Sequence, residues 1–339
     1  MGSRTGRAVG RVIALVVLVV VGVAAVFAYQ QRQDIADFFA AQRFTPSAEI
    51  LALTERIAPT PAGERVFFAS HPTLDGSQTF NDQCAQVDHS EEGHVLGCFS
   101  GGRIHLFDVA DERLTGIVEV TAAHELLHAA FSRFAPEERD DLVRRLQATY
   151  DELSASNPDL VERMRVYEGL SPTAFANELH SVLGTEVRDL PAWLEQHYAR
   201  WFADRSLIVG YFDAYHHIFV ELRQEADALQ AQLDALRADI EARRVVYDDA
   251  VAQYNADWRV FVARNEAFEF SGNPGEFYAL RATFESRRAA LNAELAELNA
   301  DIATYEQLRL ELEQLGALNN ELQSNLNSEL APPAAAPAE

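Results

Sequence analysis

The segment Val120–Phe131 carries two histidines and a glutamate, His124, Glu125 and His128, within an otherwise mostly apolar run. Residues four apart lie on one face of a helix, a turn apart, so the two histidines can present their imidazole nitrogens to a single tetrahedral metal ion. The same side of the helical wheel carries four apolar residues, Ile117, Val120, Leu127 and Phe131. This pattern predicts a buried helix whose inward-facing histidine pair requires a partner, and the spacing favours a metal ion over a core position without one.

The His-Glu-x-x-His pattern resembles the active helix of zincin-type metallopeptidases. The resemblance implies a zinc ion held by His124 and His128, with Glu125 as the general base on a metal-activated water. Metzincins extend the pattern with a glycine and a third histidine, but Phe131 and Phe134 stand at those positions. The third ligand is therefore expected elsewhere in the chain, as in glutamate-zincins.

Glu178 is the candidate third zinc ligand. Ser171, followed by a proline, is typical of a helix start and Gly184 of a helix end, which predicts a helix over Thr173–Leu183. Glu178 lies within the apolar stripe of that helix, which consists of Phe175, Leu179 and Val182. A buried carboxylate requires a cation, and a buried salt bridge to an arginine is the alternative to a metal. His180 is expected roughly opposite the stripe and Glu186 beyond the helix.

Composition and cysteine content limit the partners and the compartment. The net charge of −24 argues against a nucleic-acid partner, because phosphate binding requires a basic surface. Cys84 and Cys98 are the two cysteines of the chain. They are expected to form a disulfide outside the cytoplasm, and to be free thiols in a reducing compartment.

The N-terminal region predicts a membrane anchor. Residues 1–11 contain three arginines and no acidic residue, and the uncharged run Val12–Tyr29 is just long enough to span a bilayer. The positive-inside rule then gives a single-pass protein of the cell membrane, with residues 1–11 in the cytoplasm and the bulk extracytoplasmic. A cleaved signal peptide with a site near Val26–Ala28 is the alternative. Residues 30–60 are expected to form a charged, partly helical stalk.

Residues 61–215 are expected to form the zincin-like domain, of α+β class and mainly helical with a small sheet. Candidate strands are residues 65–69, 95–100 and 102–109. The resemblance implies that the strand over 102–109 lies at the edge of the cleft and binds peptide substrate by strand addition. His197 and Tyr198, on a helix from Pro191 to Phe202, either support the oxyanion or simply pack in the core.

The last third of the chain predicts a long antiparallel helical coiled-coil hairpin over residues 216–330. Apolar or small residues recur at alternating spacings of four and three from Ile218, and the second arm continues the pattern through Leu291, Leu295, Leu298 and Ile302. Gly272–Gly275 separates the two arms. Residues 331–339 are expected to be a disordered tail. The hairpin offers a surface for a homodimer or for an envelope-protein partner.

These features favour a membrane-anchored, extracytoplasmic zinc peptidase that acts on a peptide or protein substrate. A cell-envelope scaffold, in which the hairpin acts and the zincin-like domain is not catalytic, is the alternative. A metal hydrolase that cleaves cell-wall amides would use the same residues.

Overall fold

The computed structural model describes residues 18–22, 31–85 and 95–329. Over these residues the chain is mainly helical with a small three-stranded sheet, as the sequence predicted. It divides into two compact units. The first comprises the described residues up to His217 and those from Leu322 onward, and the second is Ile218–Glu321.

The helices of the first unit follow one another closely along the chain. They are α1 (Arg32–Arg43), α2 (Ala48–Ile57), α3 (Pro61–Ala69), α4 (Ser77–Cys84), α5 (Ile117–Arg133), α6 (Pro136–Leu153), α7 (Pro158–Arg165), α8 (Pro172–Thr185) and α9 (Ala192–Tyr198). Two long helices, α10 (Arg205–Glu266) and α11 (Pro274–Leu326), run through the second unit. Short 3-10 turns lie at Glu112–Leu114 and Glu269–Gly272.

The sheet has the order β1-β3-β2, with β1 at Thr73–Asp75, β2 at Gly97–Ser100 and β3 at Arg103–Phe107. The central strand β3 is parallel to β1 and antiparallel to β2. Gly101 and Gly102 connect β2 to β3 with φ angles of 58° and 81°, a left-handed pair that favours glycine and suits a tight hairpin. The predicted strand at 65–69 is wrong: Thr60 caps a helix there and Pro61 occupies its first turn.

Helix α5 lies at the centre of the first unit. It contacts α2, α3, α8, β2 and β3, and its residues from Ala122 to Phe131 are almost all buried. Ile50, Leu53 and Ile57 of the segment predicted as a stalk belong to the same core. Helix α2 is therefore part of the packing around the candidate site.

The structure does not support the membrane anchor predicted at 12–29. In the part of the chain that is described, no helix combines the length and the apolar character needed to cross a bilayer. Of that segment, residues 18–22 are described and helical, and the others lie outside the described residues, as do residues 1–11 and 331–339. The single-pass location in the cell membrane rested on this anchor and is not supported.

The second unit consists of the long parts of α10 and α11, which ion pairs join in antiparallel order. Arg243 of α10 contacts Glu294 and Asp301 of α11, and Asp257 contacts Arg287. The break predicted at Gly272–Gly275 lies where α10 has ended and α11 begins. Coiled-coil packing of the two helices stays a prediction.

Charged residues of α11 occupy two positions in the contact with α10 where apolar residues were predicted. Leu295 and Ile302, placed in the helix contact by hydrophobicity, are 41% and 46% exposed. Glu294 and Asp301 replace them there because both pair with Arg243.

Candidate metal centre

Two ion pairs fix helix α5 near its ends. Glu119, in the first turn, accepts a hydrogen bond of 2.5 Å from Arg56 of α2. Arg133, in the last turn, donates to the buried Asp37 of α1 at 2.9 Å. Gly116 precedes the helix with a φ of 102°, a conformation that L side chains rarely adopt. These contacts hold the middle of α5, with its histidines, in a fixed position.

The structure brings His124, His128 and Glu178 together, as the sequence predicted. One carboxylate oxygen of Glu178, on α8, lies 3.6 Å from Nε2 of His124 and 3.4 Å from Nε2 of His128. The alternative of a salt bridge between Glu178 and an arginine is not what the structure shows. All three side chains are mostly buried, with exposed fractions of 10–18%.

This donor set matches the requirements of zinc. Tetrahedral coordination with bonds of about 2.0–2.1 Å separates neighbouring ligand atoms by about 3.3 Å. The two measured separations, 3.4 and 3.6 Å, are close to that value. The group His124, Glu125 and His128, whose candidate ligand atoms lie within 4.8 Å of one another, could hold a metal ion.

The electrostatics of the cluster also favour a cation. Burial opposes the charged form of His128, but the carboxylates of Glu178 and Glu125 outweigh it and raise the pKa of His128 to about 10. Burial likewise opposes the charged form of Glu178, yet the two histidines hold the pKa of Glu178 well below its ordinary value. The Glu178 carboxylate is thus ionised, and it stabilises positive charge beside it.

Glu125 lies at the boundary between α5 and the sheet. It is 5% exposed, and it lines the same cleft as the three candidate ligands. Gly97 of β2 is so close that a Cβ atom there would lie 2.8 Å from Cγ and 2.9 Å from Oε1 of Glu125. Because Gly97 has no Cβ atom, the Glu125 side chain has room to lie against β2.

Ser181 is a neighbour of the histidines that the sequence did not reveal. The hydroxyl of Ser181 donates to the carbonyl oxygen of His124 at 3.2 Å and lies 3.4 Å from Nδ1 of His128. Hydrogen bonds on the far nitrogen fix the orientation of a metal-binding imidazole. Ser181 is three residues after Glu178, a spacing that puts both on one helix face and that could have identified it.

The opposite wall of the cleft carries a second ion pair. Arg163 of α7 donates to Glu186 at 3.2 and 3.3 Å, and Tyr167 and Tyr215 lie beside the pair. Glu186 was expected beyond the helix, and it does follow directly after α8, but its side chain is only 7% exposed. The cleft is small, about 200 Å³.

His180, His197 and Tyr198 form a packed group away from the cleft lining. His180 is fully buried, not on an outer face as expected, and its Nε2 is 2.8 Å from Nε2 of His197. Burial lowers the pKa of His180 well below its ordinary value and that of His197 to about 4. The Tyr198 hydroxyl donates to the His180 carbonyl at 2.7 Å. The contacts of Tyr198 and His197 are those of core packing.

The strand at the edge of the cleft is β2, which corrects the expectation for residues 102–109. Those residues form β3, which is the centre of the sheet. In β2 and the two residues before it, Val95–Phe99 line the cleft together with His124 and Glu125. Among the described residues, β2 pairs with β3 alone, so its other edge is open. Cys84 and Cys98 form the predicted disulfide and attach β2 to α4.

Comparison of the chain with models of known families, with curated proteins and with solved structures gives no match.

Proposed function

We propose that this chain is a zinc-dependent peptidase in which His124, His128 and Glu178 hold the ion. The observation that carries the proposal is the convergence of two imidazole nitrogens on one Glu178 oxygen, at 3.6 and 3.4 Å. These separations suit the three protein ligands of a catalytic zinc site, which leaves a fourth position open.

Glu125 is the general base of the proposed reaction. When bound, zinc polarises the scissile carbonyl and makes water a stronger nucleophile at neutral pH. The Glu125 carboxylate accepts the proton of the attacking water and transfers it to the nitrogen of the leaving amine. Glu178 is unsuited to this role because both histidines already share its oxygen.

In this proposal the substrate is an extended peptide bound along β2. The open edge of β2 offers main-chain hydrogen bonds to an added strand. Val95–Phe99 line the cleft beside Glu125, so a peptide on that edge would pass close to the general base.

The decisive experiment combines metal analysis with peptide hydrolysis on the purified chain. We expect about one zinc per chain, lost in His124→Ala and weakened in Glu178→Ala. Glu125→Gln should keep the zinc but lose hydrolysis by about 10²–10⁴-fold. Glu137→Gln is the control, because Glu137 is an exposed glutamate of the first unit that does not line the cleft. Full hydrolysis by Glu125→Gln would contradict the mechanism.

A scaffold with a non-catalytic domain is the second candidate. The helical unit Ile218–Glu321 favours it, together with contacts that fix the end of α11 within the first unit. There, Asn325 donates to Asp111 at 2.7 Å, and Ser328 donates to Asn81 at 2.6 Å. A folded wild-type chain without zinc would favour this function. Zinc-dependent cleavage of peptidoglycan fragments but not of peptides would favour a cell-wall amidase.

A further inference from the structure

The two helices of the second unit contact each other through a regular seam. Buried or half-buried residues of α10 recur three and four apart: Leu222, Ala226, Leu229, Leu233, Leu236, Ile240, Arg243, Tyr247, Ala250, Tyr254, Asp257 and Phe261. The corresponding residues of α11 include Leu280, Phe284, Arg287, Leu291, Glu294, Leu298, Asp301, Tyr305 and Leu308. This heptad spacing defines two flanks of the hairpin, one on each side of the seam.

The two flanks differ sharply in composition. One flank, directly after seam residues, carries six of the ten arginines of residues 218–321: Arg223, Arg237, Arg244, Arg281, Arg288 and Arg309. The other flank consists of residues that directly precede seam residues, and it carries no arginine. It presents small or uncharged side chains over its central part: Val246, Gln253, Val260, Thr283 and Ala290. We call it the small flank.

A groove runs along the small flank. One part, of about 780 Å³, is lined by Ala242, Val246, Ala250 and Ala290 together with the ion pair Arg243–Glu294, and the next part, of about 300 Å³, by Val260 and Thr283 together with Asp257. Arg287 lines both parts. From Ala242 to Arg264, the ends of the groove on α10, the helix extends about 33 Å.

Two valines project from this flank, although exposed valine is unfavourable in water. Val246 is 69% exposed and Val260 is 61% exposed, and they lie two heptads apart on the same helix. Their apolar surface, beside a groove lined by alanines and by the ion pairs of the seam, indicates a face that a partner covers.

We propose that two copies of this chain pair through the small flank and form a four-helix bundle. The area argues for a second hairpin over a single added helix. A face about 33 Å long and two helices, about 20 Å, wide buries about 660 Å² per chain. The two chains together then bury about 1,300 Å², within the range of stable interfaces, whereas one helix would bury about half of that. A two-fold relation lets the valines of each copy contact the groove of the other.

The charge of the unit gives the pairing a characteristic salt dependence. Residues 218–321 contain twenty acidic residues against ten arginines, so two copies repel each other. Salt screens this repulsion, and the dimer should tighten as salt rises. A basic partner protein held by charge attraction would show the opposite dependence.

Analytical ultracentrifugation of the full chain tests the proposal. The wild type should be a dimer whose dissociation constant falls at least threefold between 0.05 and 0.5 M salt. Val246→Glu should weaken it about tenfold or more, because the interface would bury a carboxylate in place of an apolar side chain. Val245→Glu is the matched control, since Val245 is the adjacent valine, is 64% exposed and does not line the groove.

Helix content, measured by circular dichroism, should be equal in the three proteins. A wild type that stays monomeric at about 100 μM in high salt would overturn the proposal, since stable interfaces of this area bind at micromolar concentrations or below. If Val246→Glu and Val245→Glu weaken the dimer equally, or if neither variant weakens it, the interface lies elsewhere and the proposal is overturned.

Discussion

Gly97 shows at the residue scale how the sheet and helix α5 share the cleft. A Cβ at this position would lie 2.6 Å from Cγ2 of Thr121 and 2.8 Å from Cγ of Glu125. Contacts this short force the neighbouring side chains to move. The conformation of Glu125 therefore depends on a residue that contributes no chemistry of its own.

We expect Gly97→Ala to displace Glu125 and to lower kcat/KM for peptide hydrolysis by about 100-fold, the usual effect of a misplacement of about 1 Å. Zinc content should be unchanged, because the atoms nearest the new methyl group belong to Thr121 and Glu125 and not to His124, His128 or Glu178. Gly169→Ala, where nothing lies within 4 Å of the added atom, is the control. Loss of zinc in Gly97→Ala would show that the strand also shapes the metal ligands.

The raised pKa of His128 predicts that zinc binding depends on pH. The pKa of His128 in the metal-free fold is about 10 against an ordinary 6.5. Zinc must therefore displace one proton, and its affinity should rise about tenfold per pH unit between about 6.5 and 10. Competition titrations with a chelator from pH 6.5 to 8.5 measure this slope. An affinity that is flat over this range would mean that His128 is already neutral.

The same shift affects the stability of the metal-free protein. A folded-state pKa above the unfolded value stabilises the fold fully below pH 6.5, and this contribution is lost as the pH rises through about 10. The free energy of unfolding in the presence of chelator should therefore fall over this range. The His128→Ala variant should lack that part of the slope.

The residues that the sequence predicted at the site were those with a periodic signal. His124, Glu125 and His128 follow from helical spacing, and Glu178 from a charge within an apolar stripe. Gly97 could not be predicted as a cleft residue, because its role depends on contacts between elements far apart in the chain. His180 was expected opposite the apolar stripe of its helix, but Phe131, Phe134 and His197 pack against that side as well.

At the scale of elements, the disulfide attaches the edge strand to the rest of the fold. Cys84 ends α4 and Cys98 lies in β2, and both are buried with Phe80 and Phe107. Replacing both cysteines by serine should lower the free energy of unfolding by about 3 kcal/mol, the effect of opening a loop of about 15 residues. Thermal or urea unfolding measures this change.

Zinc affinity should stay the same in that double variant, since the ligands lie on α5 and α8. A reducing agent should destabilise the wild type and leave the variant unaffected. Equal loss of stability and zinc would indicate that β2 supports the ligands directly.

Local signals identified most elements but not their arrangement. Ser171 accepts the expected backbone hydrogen bond and starts a helix where predicted. The order of strands in the sheet had no such signal, so the edge was assigned to residues 102–109 when it belongs to β2. Strand order depends on pairing between segments far apart in the chain. The helix Pro61–Ala69 likewise depends on its tertiary surroundings, and its apolar run was taken for a strand.

At the scale of the molecule, the proposed metal stabilises only part of the chain directly. All candidate ligands belong to the first unit, whereas Ile218–Glu321 has none of them. A ligand that binds only the folded state stabilises it by about 2.7 kcal/mol at a free concentration of 100 times Kd. Removal of zinc should therefore lower the stability of the first unit and leave that of the second unchanged.

Hydrogen exchange with and without EDTA tests this prediction. Amides of α5 and α8 should lose protection by up to about 2.7 kcal/mol on chelation, at zinc levels 100 times Kd, while amides of residues 218–321 stay unchanged. The His124→Ala variant should not respond to EDTA, because it lacks a ligand. Because α10 and α11 continue from one unit into the other, their amides report whether opening spreads. Equal loss in both units would show that the chain unfolds as one cooperative body.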